Sequence, residues 1–393
     1  MAHDRTVRQV RRRHLADEAR RSLFVLPAGV VLLAALLGEA LAEVDDRVEP
    51  GSLPGFLETS EESARAILGA IAGGTITAAA VVLSFTLVAV QLASSQYSPR
   101  TLGRFLGDRF QQVVMGAVFG TFTYSVVVLR EVERADVGPE RPVAQVATTG
   151  AVVLAILALL AVLASIDHTA RSLQVESIAH RVSDLSIAIA RERYPPIEDP
   201  PAPPEPPPTP PADALTVRAP TTGWVQQLSP EAVASSLPVG STAVLAVTVG
   251  DHVAEDDVVA VVWPPPEDVS GVRRRIHEAV DLGPTRTMQD DVAFGVIQLV
   301  DIAARALSPA INDPYTAQEI VLREAPLLRE LVTRDLYDRP VEADGRVVHP
   351  SPGWGVADYL ELAIGSLRWH AREQPRVLET LITVLGTLRD QAV

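Results

Sequence analysis

Hydroxyl and amide side chains recur along one face of a long apolar stretch, where polar groups are otherwise scarce. Thr77, Ser84 and Gln91 are spaced seven residues apart and Ser95 follows four residues later, so all fall on one stripe of an α-helix. Polar groups in hydrocarbon are costly unless they are hydrogen-bonded or hydrated. The stripe is therefore a candidate lining for a water-filled path. The alternative is that these groups hydrogen-bond across helices within a bundle.

A basic side chain follows the end of the same stretch. Pro99 ends the predicted helix, and Arg100 comes directly after it. Arg100 is a candidate contact for lipid phosphate or for an acidic partner at the inner mouth of the path. The alternative is ordinary anchoring by a basic residue at the membrane surface.

A rigid segment lies between two predicted helices near the C-terminus. Pro309, Asn312, Asp313 and Pro314 are turn-forming residues, and Asp-Pro is a typical N-cap followed by the first helical position. The segment therefore predicts a tight helix–turn–helix connection. The functional alternative is a subunit interface or a ligand pocket.

The sequence contains no recognisable catalytic or cofactor-binding constellation. Its histidines form no HExxH motif, and neither a phosphate-binding loop nor Gly-x-Ser-x-Gly occurs. The absence of cysteine excludes disulfides and thiolate metal ligands. Asp290 and Asp291 could bind a divalent ion, but their favourable placement in the first turn of a helix is the simpler explanation. We therefore expect no catalytic residue, no metal and no cofactor, and the protein is not expected to be an enzyme.

Four apolar stretches must position the polar stripe, because a bilayer core of about 30 Å needs roughly 20 apolar residues in a helix. The second, third and fourth carry no acid or base in their cores, which favours a passive pore over a proton-coupled carrier. Gly69-x-x-x-Gly73 and Gly116-x-x-x-Gly120 predict close helix packing. The four stretches are Ser22–Gly38, Ala66–Pro99, Phe110–Leu129 and Pro142–Ile166.

Charge predicts the orientation of these spans. Residues 1–21 carry seven arginines, whereas the loop after the first span carries eight acids between Glu39 and Glu62. By the positive-inside rule, both termini are cytoplasmic and the protein lies in the inner or plasma membrane. The net charge of −15 argues against a nucleic-acid partner.

Composition divides the chain into six predicted parts. Eleven prolines between Pro195 and Pro211 indicate an extended linker, and β-branched residues punctuated by Gly and Pro indicate strands after it. The parts are a basic N-terminus (1–21), a four-helix transmembrane domain (22–166), a helical extension (167–194), a Pro-rich linker (195–211), a small β module (212–266) and a helical cytosolic domain (267–393).

The β module resembles a biotinyl/lipoyl-like barrel-sandwich domain in two turn segments, Ala219–Val225 and Val249–Val253. Such modules often carry a cofactor on a lysine. The chain contains no lysine, so the resemblance implies a β adaptor rather than a carrier.

Longer motifs are similar to a bacterial family of predicted membrane proteins that is known only as a domain of unknown function. They are Ser94-Ser95-Gln96-Tyr97-Ser98-Pro99-Arg100, Gly120-Thr121-Phe122-Thr123-Tyr124-Ser125 and Leu307–Ala317. The resemblance implies four spans and a cytosolic domain. It carries no activity, cofactor or catalytic residue.

The expected fold is thus an α-helical membrane protein with four transmembrane helices, a small β module and a helical cytosolic domain. The leading functional hypothesis is an oligomeric, channel-like protein in contact with membrane lipid, gated or assembled by its cytosolic domain. The alternative is a non-conducting anchor or scaffold whose cytosolic domain binds a partner protein.

Overall fold

A computed structural model describes residues 24–45, 47, 60–96, 108–135, 145–172, 174–197 and 202–391. The chain divides into two compact units. We call the first, within residues 14–174, the membrane unit, and the second, which begins at Val175, the C-terminal unit. The predicted basic N-terminus lies outside the described residues.

The membrane unit consists of helices α1 (Val25–Asp45), α2 (Glu61–Gln96), α3 (Arg109–Ala135) and α4 (Gln145–Ser172). All four are long and apolar enough to cross a bilayer, which confirms the predicted spans. At 1.5 Å per residue, α2 is about 54 Å long and exceeds the bilayer core. Its additional turns include the acidic residues Glu61 and Glu62 at its start.

Helix α3 is the central helix of the membrane unit. Its apolar window is 56% buried, whereas those of α1 and α4 are each 17% buried. Glycines bring α1 close to it, because a Cβ at Gly116 would lie 3.0 Å from Val30 and one at Gly120 would lie 3.3 Å from Ala34. The close packing predicted from Gly116 and Gly120 is therefore present, and α2 and α4 also pack against α3.

A buried carboxylate ties α1 to α4. Asp45 ends α1 and is 3% exposed. Its two oxygens accept hydrogen bonds from the backbone N–H groups of Val146 at 2.9 Å and Ala147 at 2.8 Å, in the first turn of α4. A carboxylate in this position satisfies free helical donors and complements the helix dipole.

The C-terminal unit begins with α5 (Val175–Arg193), so the predicted extension 167–194 is divided between α4 and α5. Its longer helices α5, α8, α9 and α12 pack together on apolar faces, and α5 contacts both α8 and α9. The other helices are α6 (Pro230–Ser236), α7 (Val269–Ala279), α8 (Val292–Ala306), α9 (Pro314–Val332), α10 (Val356–Leu360), α11 (Ser366–His370) and α12 (Pro375–Arg389).

Eight strands of the C-terminal unit form two small sheets, ordered β1-β5-β3-β8-β7 and β4-β2-β6. Neighbouring strands are antiparallel except β3 and β8, which are parallel with Thr242 opposite Val347. The strands are β1 (Leu215–Arg218), β2 (Gly223–Leu228), β3 (Thr242–Leu245), β4 (His252–Val253), β5 (Val258–Trp263), β6 (Val280–Gly283), β7 (Val341–Ala343) and β8 (Arg346–His349).

Strands from both predicted cytosolic segments complete these sheets. β1 to β5 fall in the range predicted as a β module, whereas β6, β7 and β8 come from the range predicted as a helical domain. Both sheets contribute to one apolar core that includes Val225, Leu245 and Val262. The hairpin around Asp344 and Gly345 depends on positive φ angles at both residues.

The start of the predicted Pro-rich linker is held by backbone pairing. The N–H of Ile197 donates to the carbonyl of Thr333 at 3.0 Å, and the N–H of Asp335 donates to the carbonyl of Pro195 at 2.9 Å. Residues 202–211 form no helix or strand. The beginning of this segment is therefore an ordered part of the C-terminal unit.

Candidate functional site

Helix α2 has a buried face and an exposed face, and the predicted polar stripe lies on the exposed one. Thr77, Ser84 and Gln91 are all exposed. The buried face is composed instead of Leu68, Ala72, Thr75, Ala79, Val82 and Ala89. Ser95 belongs to α2, but its side chain lies outside the described ones. The stripe thus faces away from the interior of the membrane unit.

Small residues share the exposed face of α2. Among the described residues, no atom lies within 4 Å of a Cβ built at Gly69 or Gly73. The described part of the membrane unit therefore shows no close packing at these two glycines, unlike that at Gly116 and Gly120. The hydroxyl of Thr77 donates to the carbonyl of Gly73 at 2.8 Å, which satisfies its donor within the helix.

Other polar side chains form the contacts between the spans. The amide of Gln111 on α3 donates to the hydroxyl of Thr86 on α2 at 2.6 Å. The phenol of Tyr124, which is fully buried, donates to the carbonyl of Ala147 on α4 at 2.8 Å. Sequence reasoning did not single out either pair, because nothing in a single sequence indicates which positions on different helices meet.

An imidazole–carboxylate pair lies at one end of the membrane unit. Nε2 of His168 on α4 is 2.7 Å from Oδ2 of Asp108, the residue before α3. The His168 ring also packs against Phe110 with centroids 4.7 Å apart. The sequence suggests only a solvated position for His168 beside Asp167, since the residue that it contacts lies sixty positions earlier.

The candidate contact Arg100 lies outside the described residues, so its predicted role stays a prediction. The segment from Pro309 to Pro314 is described, and it connects α8 to α9. Asp313 is the N-cap of α9 and accepts from the N–H of Thr316 at 3.0 Å and from its hydroxyl at 2.6 Å. These bonds, the side-chain one first, hold the pKa of Asp313 below its usual range.

Contacts with α12 fix this connection further. Asn312 adopts a left-handed conformation with φ of 49°, and its side-chain oxygen accepts from the Gln374 amide at 2.9 Å. Arg376 donates to the Tyr315 hydroxyl at 2.7 Å. The segment therefore joins three helices of the C-terminal unit.

Within the described ranges, no group of three or more His, Asp or Glu side chains is arranged to hold a metal ion. Asp291 instead caps α8 by accepting from the N–H of Phe294 at 2.9 Å, and it pairs with Arg286 at 2.6 Å.

A bundle of four helices that could each cross a membrane, followed by a unit of small sheets and helices, defines a polytopic membrane protein. The chain belongs to the family described as predicted membrane protein DUF2254, whose profile matches residues 20–387.

Three curated relatives are similar to the chain over nearly its whole length. They are uncharacterized proteins of Mycobacterium bovis and of two Mycobacterium tuberculosis strains. Each is 32% identical over 400 residues, covering 98% of this chain and 74% of the relative. No solved structure matches the chain significantly.

Proposed function

We propose that the protein is an oligomeric, channel-like membrane protein in which the exposed face of α2 contacts neighbouring subunits and lines a polar path. Both termini lie in the cytoplasm in this proposal, and the C-terminal unit assembles or gates the oligomer. The exposed position of Thr77, Ser84 and Gln91 carries the proposal.

The length of the polar stripe along α2 supports this proposal. From Thr77 to Gln91 the helix rises about 21 Å, which is less than the hydrocarbon thickness of about 30 Å. In this proposal the stripe lies within the hydrocarbon layer, where an isolated subunit would present the Ser84 hydroxyl and the Gln91 primary amide to lipid, at a cost in free energy. Association of several copies around the stripe exposes these groups to water or to one another instead.

The glycines of the same face suit such an association. Open space around Gly69 and Gly73 lets another helix backbone approach closely, as small residues do in membrane helix pairs. We therefore expect Gly73→Leu to dissociate the oligomer in native mass spectrometry while leaving the subunit folded. Gly29→Leu on α1, where the Cβ also meets no atom of the described residues within 4 Å, is the matched control and is expected to preserve the oligomer.

Ion flux from proteoliposomes tests conduction directly. The purified full-length protein is compared with Ser84→Leu/Gln91→Leu, which removes the polar groups from the stripe. The matched control is Val81→Leu/Val88→Leu, because both valines are exposed on α2 at the same spacing and the change keeps them apolar. We expect flux from the parent and the control, and loss of flux from the folded polar-stripe variant. Equal flux from the parent, the polar-stripe variant and the control would show that the polar groups of α2 do not line the conducting path.

A non-conducting anchor or scaffold is the second candidate, and the hydrogen bond of Thr77 favours it. Because the hydroxyl donates to the carbonyl of Gly73, it can face lipid without water. The absence of flux for every salt and voltage tested would support this function. Capture of a partner protein through the C-terminal unit would then be the expected activity.

A further inference from the structure

A surface cleft of about 630 Å³ lies on the C-terminal unit. Its walls come from the segment before α10 and from one face of the continuous helical stretch formed by α10, a π-helical turn (Glu361–Gly365) and α11. The lining includes two tryptophans, Trp354 and Trp369, and two carboxylates, Asp358 and Glu361. The cleft is wide open to solvent, and its volume is large enough for a small molecule.

The two tryptophans differ in how firmly they are held. The Trp354 ring packs against Tyr359 with centroids 5.7 Å apart, and Tyr359 is 3% exposed. This contact holds the half-buried Trp354 ring against α10. Trp369, by contrast, is 68% exposed. A large aromatic ring that remains open to solvent at the edge of a cleft is available for a ligand.

The two carboxylates of the cleft differ in how they are held, because Asp358 has an oriented position and Glu361 is largely exposed. Oδ2 of Asp358 accepts from the N–H of Gly355 at 2.8 Å, which orients Asp358 at the start of α10. Glu361 lies over Gly365, and a Cβ added at Gly365 would overlap its carboxyl group. Arg368 approaches Glu361 only to 3.9 Å, and both side chains are exposed, so this ion pair competes weakly for the carboxylate.

The π-helical turn lies where these groups meet. Turns with the wider i→i+5 pattern are rare and occur frequently at functional sites. Here the turn contains Glu361 and Gly365, and Trp369 follows on the same lining face. Aromatic rings beside carboxylates form an environment that favours a positive charge by cation–π attraction and by Coulomb attraction.

We propose that this cleft binds a small organic cation, whose quaternary ammonium or guanidinium group lies against the ring of Trp369 and the carboxylates of Asp358 and Glu361. The aliphatic part of the ligand contacts Trp354 and Leu362. This binding site is independent of whether the membrane unit conducts.

Calorimetric titration of the full-length protein in detergent tests the proposal with defined probes. Choline supplies a quaternary ammonium group, agmatine supplies a guanidinium group, and dimethylbutanol is the uncharged carbon isostere of choline. We expect choline or agmatine to bind, the isostere to bind at least about tenfold more weakly, and affinity to fall as ionic strength rises. Equal affinity for choline and its isostere, or no binding of either cation in the millimolar range, overturns the proposal.

Substitutions locate the binding to the cleft. Trp369→Ala changes an exposed side chain and is expected to weaken cation binding by about tenfold. Gly365→Ala displaces the Glu361 carboxylate without changing the charge of the chain, and is expected to weaken binding as Glu361→Gln does. Glu379→Gln, an exposed carboxylate on α12 outside the cleft, is the matched control. Cation binding that persists unchanged in Trp369→Ala and Glu361→Gln excludes this cleft as the site.

Discussion

Glu324 places an ionisable group on the buried face of α9, between Val321 and Leu327 in the apolar pattern of that helix. Its side chain is 1% exposed, and Oε1 has no hydrogen-bond partner in the part of the chain that the structure describes. Burial raises the pKa of Glu324 from its ordinary 4.5 to about 8. The folded protein therefore keeps Glu324 protonated at neutral pH.

The pKa of Glu324 is higher in the folded state than in the unfolded state, so its contribution to stability decreases as pH rises. A carboxylate in an ion pair has a lowered pKa and shows the opposite dependence. Between about pH 4.5 and pH 8 the folded state binds a proton that the unfolded state releases, so the contribution of Glu324 to stability falls as pH rises. The slope of one proton is about 1.4 kcal/mol per pH unit. Below this window the contribution is fully present, and above it the folded state holds a buried charge.

We expect Glu324→Gln to remove this slope, because glutamine does not titrate. All four tryptophans lie in the C-terminal unit, so intrinsic fluorescence reports its unfolding by urea at each pH. Glu379→Gln on the exposed face of α12 is the control and is expected to retain the pH dependence of the parent. An unchanged slope in Glu324→Gln would show that another group is responsible.

The pair of Arg286 and Asp291 is the most enclosed ion pair in the described part of the C-terminal unit, with side chains 14% and 3% exposed. Gly250, with φ of 92°, makes room for it, because a Cβ there would lie 2.5 Å from both partners. Asp291→Ala leaves a buried guanidinium without its carboxylate and removes the cap of α8. We expect a loss of about 3–5 kcal/mol in the free energy of unfolding.

The exposed pair of Arg389 and Asp390 provides the comparison for this prediction. Its side chains are 82% and 66% exposed, so Asp390→Ala is expected to change stability little. Urea unfolding followed by tryptophan fluorescence measures both variants. A loss in Asp291→Ala no larger than in Asp390→Ala would mean that the buried pair contributes nothing specific.

At the scale of elements, α1 and α3 are held together by the contact of Gly116 with Val30. A Cβ at Gly116 would already lie 3.0 Å from Val30, so Gly116→Leu must separate the two helices. We expect about 1–3 kcal/mol of destabilisation, measured as a lower thermal midpoint of the detergent-solubilised protein. Gly29→Leu in the same helix pair meets open space and should leave the midpoint unchanged. Equal midpoints for the two variants would contradict the packing described here.

The spans could be predicted from the sequence because the bilayer imposes both a length and an apolar composition on each helix. Four of the five strands from Leu215 to Trp263 and the cap at Asp313 were predictable for a similar reason, since local residue types determine them, whereas β4 (His252–Val253) lies in a segment interpreted as a turn. Contacts between residues far apart in the sequence could not be predicted in this way. Asp45 caps α4 across about a hundred residues of sequence, and no local pattern indicates it.

The candidate sites likewise divide into features set by local spacing and features set by contacts between distant residues. Spacing placed Thr77, Ser84 and Gln91 on one stripe, as the structure has them, but the sequence does not say whether that stripe faces the bundle or its surroundings. No pattern in the sequence predicts the cleft on the C-terminal unit. Trp354 and Trp369 are fifteen positions apart and line the same cleft on either side of the π-helical turn, and no local pattern indicates this arrangement.

For the whole molecule, orientation in the membrane is the property on which the proposed function depends most. Acids dominate the loop after the first span, which predicts that Ser60 lies outside the cell and the C-terminal unit inside. The chain contains no cysteine, so a single introduced cysteine is the only thiol in the protein that a maleimide can label. Ser60 precedes α2 and Glu255 lies in the C-terminal unit, and both are exposed.

We expect a membrane-impermeant maleimide to label Ser60→Cys in intact cells, and to label Glu255→Cys only after the cells are permeabilised. The reason is that translocating the acidic loop is easier than translocating the arginine-rich N-terminus. Labelling after permeabilisation is the control for accessibility at each position. The reversed pattern would place the C-terminal unit outside the cell, and a cytoplasmic gate built from that unit would then be impossible even if the α2 stripe conducts.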